Sequence, residues 1–578
     1  MGSIVEKTSA GTIYKASTTA EHPELDLLTF LFESPHTHAA ESTILHADAA
    51  DPDNNHVTKS QLRTLVKSTA SILRNGYGIG ASGPNKDVVL AISTGHYLLP
   101  SLFYSTIAAG GVFSASNPGS TPKELAAQIK QVGVKIILCN ADTKPTAIAA
   151  AELTGLPPQN VIVYSSLPGG KLLLTPVPSS TPLSPSGQLS WTKITSRHDL
   201  DTSIICLLFS SGTTGPPKAC LLSHTNMVAE AALILSPSWE YYTNLGLEHI
   251  YRTVAHLPAA HIAGIQGYFV NPFYLGGTVY WMRSFDFPLF LTYTAKHRVT
   301  HFFSVPPVFL LIAKSPLVTD QFSTVEQSVS GAAPMGRELQ RAAKAKLGGG
   351  RLGKARLVQT WGLSETTGSV TMLPMGSEFE DDESGSVSAL VPGIEARIVG
   401  EDGKDVEVGR EGEIWVRGPM ITRGYWDNDL ANKEGFEDGG VGKERWFKTG
   451  DVAVYKGGLF YIVDRKKELI KYKGNQVAPA ELEALLISHP KILDAAVIGV
   501  DDEKEETEVP RAYVVVADQK GITGQEIQEW VAKQVSNHKK LRGGVVFLAA
   551  IPKSPSGKIL RKDLRALAKK QQQGTSKL

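Results

Sequence analysis

Three cysteines in 578 residues (Cys139, Cys206 and Cys220) are too few and too scattered for a disulfide scaffold, and their spacing matches no metal site. Two of them fall inside apolar, strand-like runs, where a reduced thiol packs as a small hydrophobe. An excess of charge is missing as well: 58 Lys and Arg face 57 Asp and Glu, for a net charge of +1. That balance excludes a general nucleic-acid binder and any attraction to an acidic membrane surface. Long hydrophobic runs are also absent. The most apolar long stretch, His96 to Phe113, is interrupted by Pro100, Ser101, Ser105, Thr106 and two glycines, so it reads as a buried helix and predicts no membrane span. The start, Met1-Gly2-Ser3-Ile4-Val5-Glu6, has no basic-then-apolar signal, and Glu6 stands where a myristoylation site needs Ser or Thr. At 42% hydrophobic and 20% charged, the rest is the composition of an ordinary soluble protein, in which anionic ligands must be met by local groups.

One stretch supplies such groups. In Leu207-Leu208-Phe209-Ser210-Ser211-Gly212-Thr213-Thr214-Gly215-Pro216-Pro217-Lys218 an apolar run stops in hydroxyls and glycines and then in a lysine. Gly212 and Gly215 let the backbone turn its N–H groups inward, Ser210, Ser211, Thr213 and Thr214 add neutral donors, and Lys218 brings one full charge. This is the composition of a polyphosphate cradle. It is not a Walker A loop, since the lysine follows two prolines and no Ser or Thr follows it. Taken alone, the segment is equally well read as a surface turn between two strands.

The first forty residues show mixed charge, His and Pro without a clear period, and read as a loosely attached lead-in with one helix near residues 25–33. Ser60 to Arg74 has helical spacing, and the short β-branched runs 87–92, 135–139 and 160–164 alternate with helical segments. That is α/β wiring with largely parallel strands. Residues 166–195, rich in Pro, Ser and Leu, read as a surface excursion. A helix over 223–235 follows the cradle; strands then run into three polar loops, at His256 to Gly264, Ser328 to Pro334 and Leu357 to Gly368. Loops after strand C-termini of a doubly wound sheet are where ligands sit, so these segments are expected to converge on one crevice. From about 385 to 463 the pattern changes to alternation with Gly and Asp turns, a β-rich antiparallel subdomain. The charged joint 464–467 sets a boundary, and residues 468–578 read as a compact unit with helices over 480–488 and 524–536, strands over 495–500 and 511–517, and the acidic run 501–508 as a solvated hairpin tip.

In order along the chain, SSGTTGPPK, SGAAPMG (330–336), QTWGLSET (359–366), GEIWVRGPMITRGYW (412–426), KTGD (448–451), VDRKKELIKYKGNQVAPAELE (463–483) and PKSPSGKILRK (552–562) resemble the adenylate-forming superfamily. That superfamily includes acyl-CoA synthetases, 4-coumarate:CoA ligases, luciferase and peptide-synthetase adenylation domains, and these blocks look most like the coumarate-ligase and luciferase branch. The likeness spans about residues 60 to 567. It implies an N-terminal domain, 1–463, joined through a hinge at 464–467 to a mobile C-terminal domain, 468–578. It also implies a two-step reaction in which a small-molecule carboxylic acid attacks the α-phosphorus of MgATP, giving an acyl-adenylate and pyrophosphate, before coenzyme A displaces AMP.

By the same resemblance Lys218 and its loop would hold the β- and γ-phosphates, Glu365 would hold Mg²⁺, and Ser364 would offer a hydroxyl to the α-phosphate. The segment Gly331-Ala332-Ala333 would line one face of adenine and Trp361 the other, within a nucleotide-binding run Gln359-Thr360-Trp361-Gly362. Asp451 would accept the ribose hydroxyls with Arg465 beside it, while Lys471 and Gln476 resemble further adenylation-side contacts, whose plainer reading is as solvated residues flanking a helix. Lys558 would reach the substrate carboxylate; Lys467 matches the hinge position; Lys473 and Gly474 would meet coenzyme A in a second pose. His261 would wall the acyl pocket. Ala263 and Gly264 follow it where coumarate ligases carry a pocket tyrosine, which opens room for a bulkier or longer acid. Trp361 stands where Tyr is usual and Ser364 where Thr is usual; Ala219 and Cys220 replace a glycine and an aliphatic residue.

The competing readings are an adenylating enzyme that loads a separate carrier protein, a luciferase-like oxygenase, and a silent homologue acting as a binding protein. No carrier segment follows Lys558, and retention of Lys218, Glu365, Asp451, Arg465 and Lys558 speaks against silence. The chain finishes Ser576-Lys577-Leu578, the tripeptide read by the peroxisomal import receptor, so a peroxisomal location is expected. Deleting these three residues should turn the punctate fluorescence of a tagged protein diffuse; puncta that survive the deletion would remove the peroxisome from this reading.

Overall fold

The computed structural model describes residues 2–8, 11–210, 217–438, 445–473, 475–502, 507–518, 521–554 and 557–575. Its frame is the α/β wiring expected. Strands Ile204–Ser210, Val112–Ser116, Val88–Ile92, Val134–Cys139 and Val161–Leu167 lie parallel in one sheet, with antiparallel Lys218–Ser223 and Lys171–Pro176 on its two edges. The central strands are buried throughout because helices cover both faces, leaving no solvated side to alternate toward. The 96–113 stretch is helical only over Leu99–Ala108 and then turns at Gly110-Gly111 into the Val112–Ser116 strand, so it is a helix and a strand where a helix alone is expected. Part of the supposed excursion at 166–195 is likewise the edge strand Lys171–Pro176.

A second parallel set places His301–Ser304, Gln327–Ser330 and Arg356–Gln359 side by side, with Ser304, Ser330 and Gln359 in register. Their carboxyl ends therefore stop at one level, and the loops that follow (from Val305, Gly331 and Thr360) emerge together. This alignment makes the crevice.

The β-rich subdomain is antiparallel as read, built from Glu395–Val399, Gly412–Arg417, Trp446–Lys456 and Leu459–Arg465. The N-terminal residues are not a loose lead-in: Ser3–Thr8 and Gly11–Ala16 form a hairpin that extends this sheet by pairing with Glu395–Val399. Tyr14 explains the attachment, since its ring is buried against Tyr455 and Phe460 with centroids 4.9 and 5.7 Å away. The helix Leu27–Phe32, capped by Asp26, is buried along most of its length, and its Leu27 N–H donates to His224 Nδ1 at 3.0 Å. Short apolar islands between polar residues hid these contacts from periodicity.

A separate core gathers Tyr472, Leu482, Leu486, Val497, Ile498 and Tyr513 in the C-terminal unit, whose strands Ile492–Asp502 and Thr507–Val516 pair antiparallel with Val545–Phe547 added in parallel. This unit rests on the large part of the molecule. Lys314 Nζ donates to the carbonyls of Ile487 and Ile492 at 3.1 and 2.6 Å, and Lys466 pairs with Glu413 at 3.0 Å. All three cysteines are buried thiols; burial pushes Cys139 up to about 12 and the other two up as well. Among the described residues no helix is long and apolar enough to cross a membrane, and no group of three or more His, Cys, Asp or Glu is arranged to hold a metal ion.

Tyr14→Ala removes the ring that seats the N-terminal hairpin and should cost about 3–5 kcal/mol of stability. Denaturant unfolding followed by tryptophan fluorescence measures this, and a change below about 1 kcal/mol would show the hairpin to be the appendage its sequence suggests.

Candidate active site

The cradle lies between two antiparallel strands, so both readings of its sequence describe the same place. Ser210 ends one strand and stands directly opposite Lys218, which opens the next, while Ser211, Gly212, Thr213, Thr214 and Gly215 fall outside the described residues. Segment 422–426 runs along the second strand: Leu221 N–H donates to Gly424 O at 3.0 Å, and Trp426 N–H to Ala219 O at 2.9 Å. Tyr425 is thereby set beside Lys218, whose ammonium sits 5.0 Å from the ring centre. The Tyr425 hydroxyl donates to Glu365 Oε1 at 3.0 Å. Lysine, tyrosine and glutamate thus form a chain from the cradle to the loop after the third parallel strand. Tyr425 is a residue that reading the sequence missed as part of the site, although the motif GYW contains it.

The loop from Thr360 to Ser369 turns back as a small hairpin in which Gly362 pairs with Ser369. Gly362 must be glycine, because a Cβ there would meet Gly368 O at 1.8 Å. Thr366 fixes the turn by accepting from Leu363 N–H at 2.7 Å and donating to Gly368 O at 2.6 Å. Ser364 and Glu365 are held mostly buried on it. Opposite, Gly331 and Ala332 leave the second strand, with Ala332 in the left-handed region at φ 72° and Ala333 exposed.

Gln359 is not a ligand contact through its side chain. Its amide accepts from Met335 N–H and donates to Met335 O, both at 2.9 Å, and reaches Gln340 Oε1 at 3.1 Å. A fully satisfied buried amide is a strut, here one that pins the loop carrying Gly331 to Ala333. Trp361 is held differently. Its indole N–H donates to Asp451 Oδ2 at 2.8 Å, while Arg465 Nε pairs with Asp451 Oδ1 at 2.6 Å. Asp451 and Arg465 are cross-strand partners in the β-rich sheet, so the carboxylate joins that sheet to the loop of the third parallel strand. Burial raises the pKa of Asp451, opposed by the charge of Arg465 and the Trp361 hydrogen bond.

Lys558 reaches this place from the far end of the sequence. Its turn is closed by Ser554 N–H to Lys558 O and Gly557 N–H to Ser554 O, both 2.8 Å. Gly557, at φ 80°, presses on Val305, where a Cβ would stand 3.0 Å from Cγ2. Lys558 lines one cavity of about 180 Å³ together with Gly331, Ala332, Thr360, Ser364 and His261. Burial, and then the charge of Arg465, hold its ammonium below the usual lysine range, with Glu365 and Asp451 pulling the other way. His261 is pushed down to about 3 by burial and by Lys558, and its Nδ1 accepts from Ala263 N–H at 3.3 Å. A buried ring held this far below the usual histidine range is a poor proton acceptor near neutral pH, which suits a place in the cavity wall.

Ala263 lines the same cavity, but Gly264 does not open it: a Cβ there would meet Pro258 O at 2.3 Å, so glycine is a packing requirement. Lys471 and Gln476 stay outside the crevice, exposed on a C-terminal hairpin where Gln476 donates to Glu401 Oε1 at 3.1 Å. Lys473 is exposed on that hairpin at φ 44°, its N–H bonded to Thr507 Oγ1 at 2.9 Å, and Gly474 lies outside the described residues. Lys467, predicted at the hinge, directly follows Lys466 at the joint between the two units.

Comparison with known proteins agrees with this geometry. Residues 32–426 match the AMP-binding enzyme family, and residues 481–558 match the AMP-binding enzyme C-terminal domain. A protein of Emericella nidulans named as an acyl-coenzyme A synthetase is 46% identical over 95% of this chain and 97% of its own. A phenylacetyl-CoA ligase of Aspergillus niger is 33% identical over 93% and 96%, and a 4-coumarate–CoA ligase of Solanum tuberosum is 37% identical over 79% and 80%. Among solved structures, ATP-bound MatB from Rhodopseudomonas palustris superposes with a TM-score of 0.77 at 24% identity, covering 94% of this chain and 98% of that one. An anthranilate CoA ligase in complex with anthranoyl-AMP superposes at 0.75 and 20% identity, over 95% and 98%; both show the fold. The crevice between two units, the lysine brought into it from the second unit, and matches covering both parts of the chain place this protein in the AMP-binding, adenylate-forming enzyme family.

Proposed function

We propose that the chain is an AMP-forming acyl-CoA ligase, activating a carboxylic acid through an acyl-adenylate and passing it to coenzyme A. The observation that carries this reading is the seat of Lys558, half-buried on the same cavity as Ser364 and Thr360 and within charge range of Asp451, Glu365 and Arg465. When two anions meet, their repulsion must be offset by cations and oriented donors at the point of attack. Lys558 would supply a cation to the incoming carboxylate and the bridging oxygen, Ser364 a hydroxyl to the α-phosphate, and Lys218 a cation to the outer phosphates. Asp451 has two oxygens and more lone pairs than its partners Trp361 and Arg465 consume, which leaves it able to accept ribose hydroxyls. Mg²⁺ fits Glu365: a single buried carboxylate, whose Oε1 takes the Tyr425 hydroxyl, suits an ion that is shared with phosphates and keeps its waters. It would add positive charge at the transferring phosphate.

The pose with Lys558 inside leaves Lys471, Lys473 and Gln476 outside, which supports a division of labour between two faces of the C-terminal unit turning about 464–467. In the second pose Lys473 and Gly474 would face coenzyme A. The C-terminal tripeptide supports a peroxisomal site of action.

Turnover with acid, ATP and coenzyme A should require Mg²⁺ and release AMP and pyrophosphate; ADP with inorganic phosphate would replace this mechanism by an acyl-phosphate one. Lys558→Ala should slow pyrophosphate release by about 10²–10³-fold, the effect of losing one preorganised contact to developing charge, while a supplied acyl-adenylate still reacts with coenzyme A. Lys467→Pro, which locks φ at the joint, should give the converse, with adenylate formed and thioester impaired. Equal losses in both half-reactions for both variants would remove the two-pose mechanism. Because the protonated form of Lys558 is the active one and its pKa is lowered, adenylation should fall as pH rises through a value below the ordinary ~10.4 of lysine. A pH profile that keeps its alkaline limb unchanged in Lys558→Ala would exclude Lys558 as its origin.

A further inference from the structure

The cavity that Lys558 shares with Ser364 has a second polar patch that the chemistry above does not use. Glu230, on helix His224–Asn244, is 3% exposed and lines the cavity together with Gln266 and Asn271. Gln266 Nε2 donates to Glu230 Oε2 at 2.7 Å and to Met227 O at 3.2 Å, and the Asn271 side chain and Ser369 N–H also hydrogen-bond to this carboxyl. Both amides thus turn their donors toward Glu230. Their oxygens, Gln266 Oε1 and Asn271 Oδ1, are buried with no protein donor in reach, and His301 Nε2 on the same cavity is likewise unpaired. Reversing the Gln266 amide does not help, since it would set oxygen against a carbonyl and a carboxyl oxygen.

An apolar acyl group needs none of this. A buried carboxyl and two unpaired carbonyls cost stability that leucines in their place would restore. Among the described residues the groups that act on Glu230 are neutral donors, and burial outweighs them, raising its pKa to about 8. Apolar residues of the same cavity include Ile234, Leu257, Ile262, Phe303, Val329 and Met372. An acceptor-rich patch inside an apolar sleeve is complementary to one thing: a hydrogen-bond donor delivered on an apolar body.

We infer that Glu230, Gln266 and Asn271 recognise the remote end of the acid, and that the enzyme selects carboxylic acids bearing a hydroxyl or amino group at the end away from the carboxylate. This rests on the ligase reading, because it takes the cavity as the acyl pocket. A substrate donor satisfies the unpaired carbonyls, whereas a methyl group of the same size leaves them unpaired and desolvated, the situation in which a polar site rejects an isostere most strongly.

The test is kcat/KM for pyrophosphate release with matched acids that differ only at the remote end, as hydroxyl, amino or methyl, in one straight-chain and one aryl series. The wild-type enzyme should prefer a donor-bearing acid over its methyl partner by about tenfold or more in at least one series. Glu230→Leu should bring that ratio to near one or invert it, with the melting temperature held or raised. Gln266→Leu, which removes one unpaired carbonyl and one contact to Glu230, should shift the ratio in the same direction and serves if the first variant does not fold. Preference of the wild type for methyl acids, or a ratio that neither variant moves, overturns the inference and leaves the ligase assignment standing. Absence of pyrophosphate release with every acid overturns both. A response to amino but not hydroxyl acids would assign the patch to a cation held by ionised Glu230, and the reverse to a neutral donor, each within the inference.

Discussion

The buried carboxylate of Asp451 is the constraint on which the site depends. It is held by an indole from a distant loop and a guanidinium from the next strand of its own sheet, so two stretches far apart in sequence are fixed relative to one another. An acid removed from water in this way is stable only while both partners stay. Arg465 lies inside the joint 464–467, so the same contact that would seat a ribose also anchors the start of the C-terminal unit. The nucleotide site and the hinge are therefore one structure.

Lys558 stands in the opposite situation. Its ammonium is buried beside a second cation, Arg465, and is compensated only in part by Glu365 and Asp451. The closed pose is thus held mainly by packing at Gly557 on Val305 and by the two carbonyls clamped by Lys314, while the charge itself is poorly solvated. A negative ligand would relieve that, and its departure would restore the strain. Binding of an anionic ligand would in this way favour the pose with Lys558 at the crevice.

Much of this was legible in the sequence, and for particular reasons. Lys218, Ser364, Glu365, Asp451, Arg465 and Lys558 lie in short motifs whose composition has few other uses, on loops or at strand positions that the structure brings near one crevice. Side chains that act through a neighbour were harder. Gln359 looks like a ligand by position, yet its amide is consumed by Met335; Gly264 looks like added room, yet Pro258 O occupies the space. Glu230, Gln266 and Asn271 lie on helical segments with no loop chemistry, and only three-dimensional packing turns their polar atoms toward one another. The N-terminal hairpin was missed because a strand whose partner lies nearly four hundred residues away, Lys15 against Glu395, leaves no local period.

Cys220 sits two residues beyond Lys218, next to Glu365, in a chain whose intermediate is an electrophile made to be attacked by sulfur. Its thiol is buried, and the carboxylate beside it discourages ionisation further. The sulfur near Lys218 and Glu365 is therefore kept in the unreactive thiol form, which leaves attack on an acyl-adenylate to a thiol that arrives from solution. Suppressing self-acylation is a quiet condition for turnover, and the apolar strand that buries Cys220 meets it without any group assigned to the task.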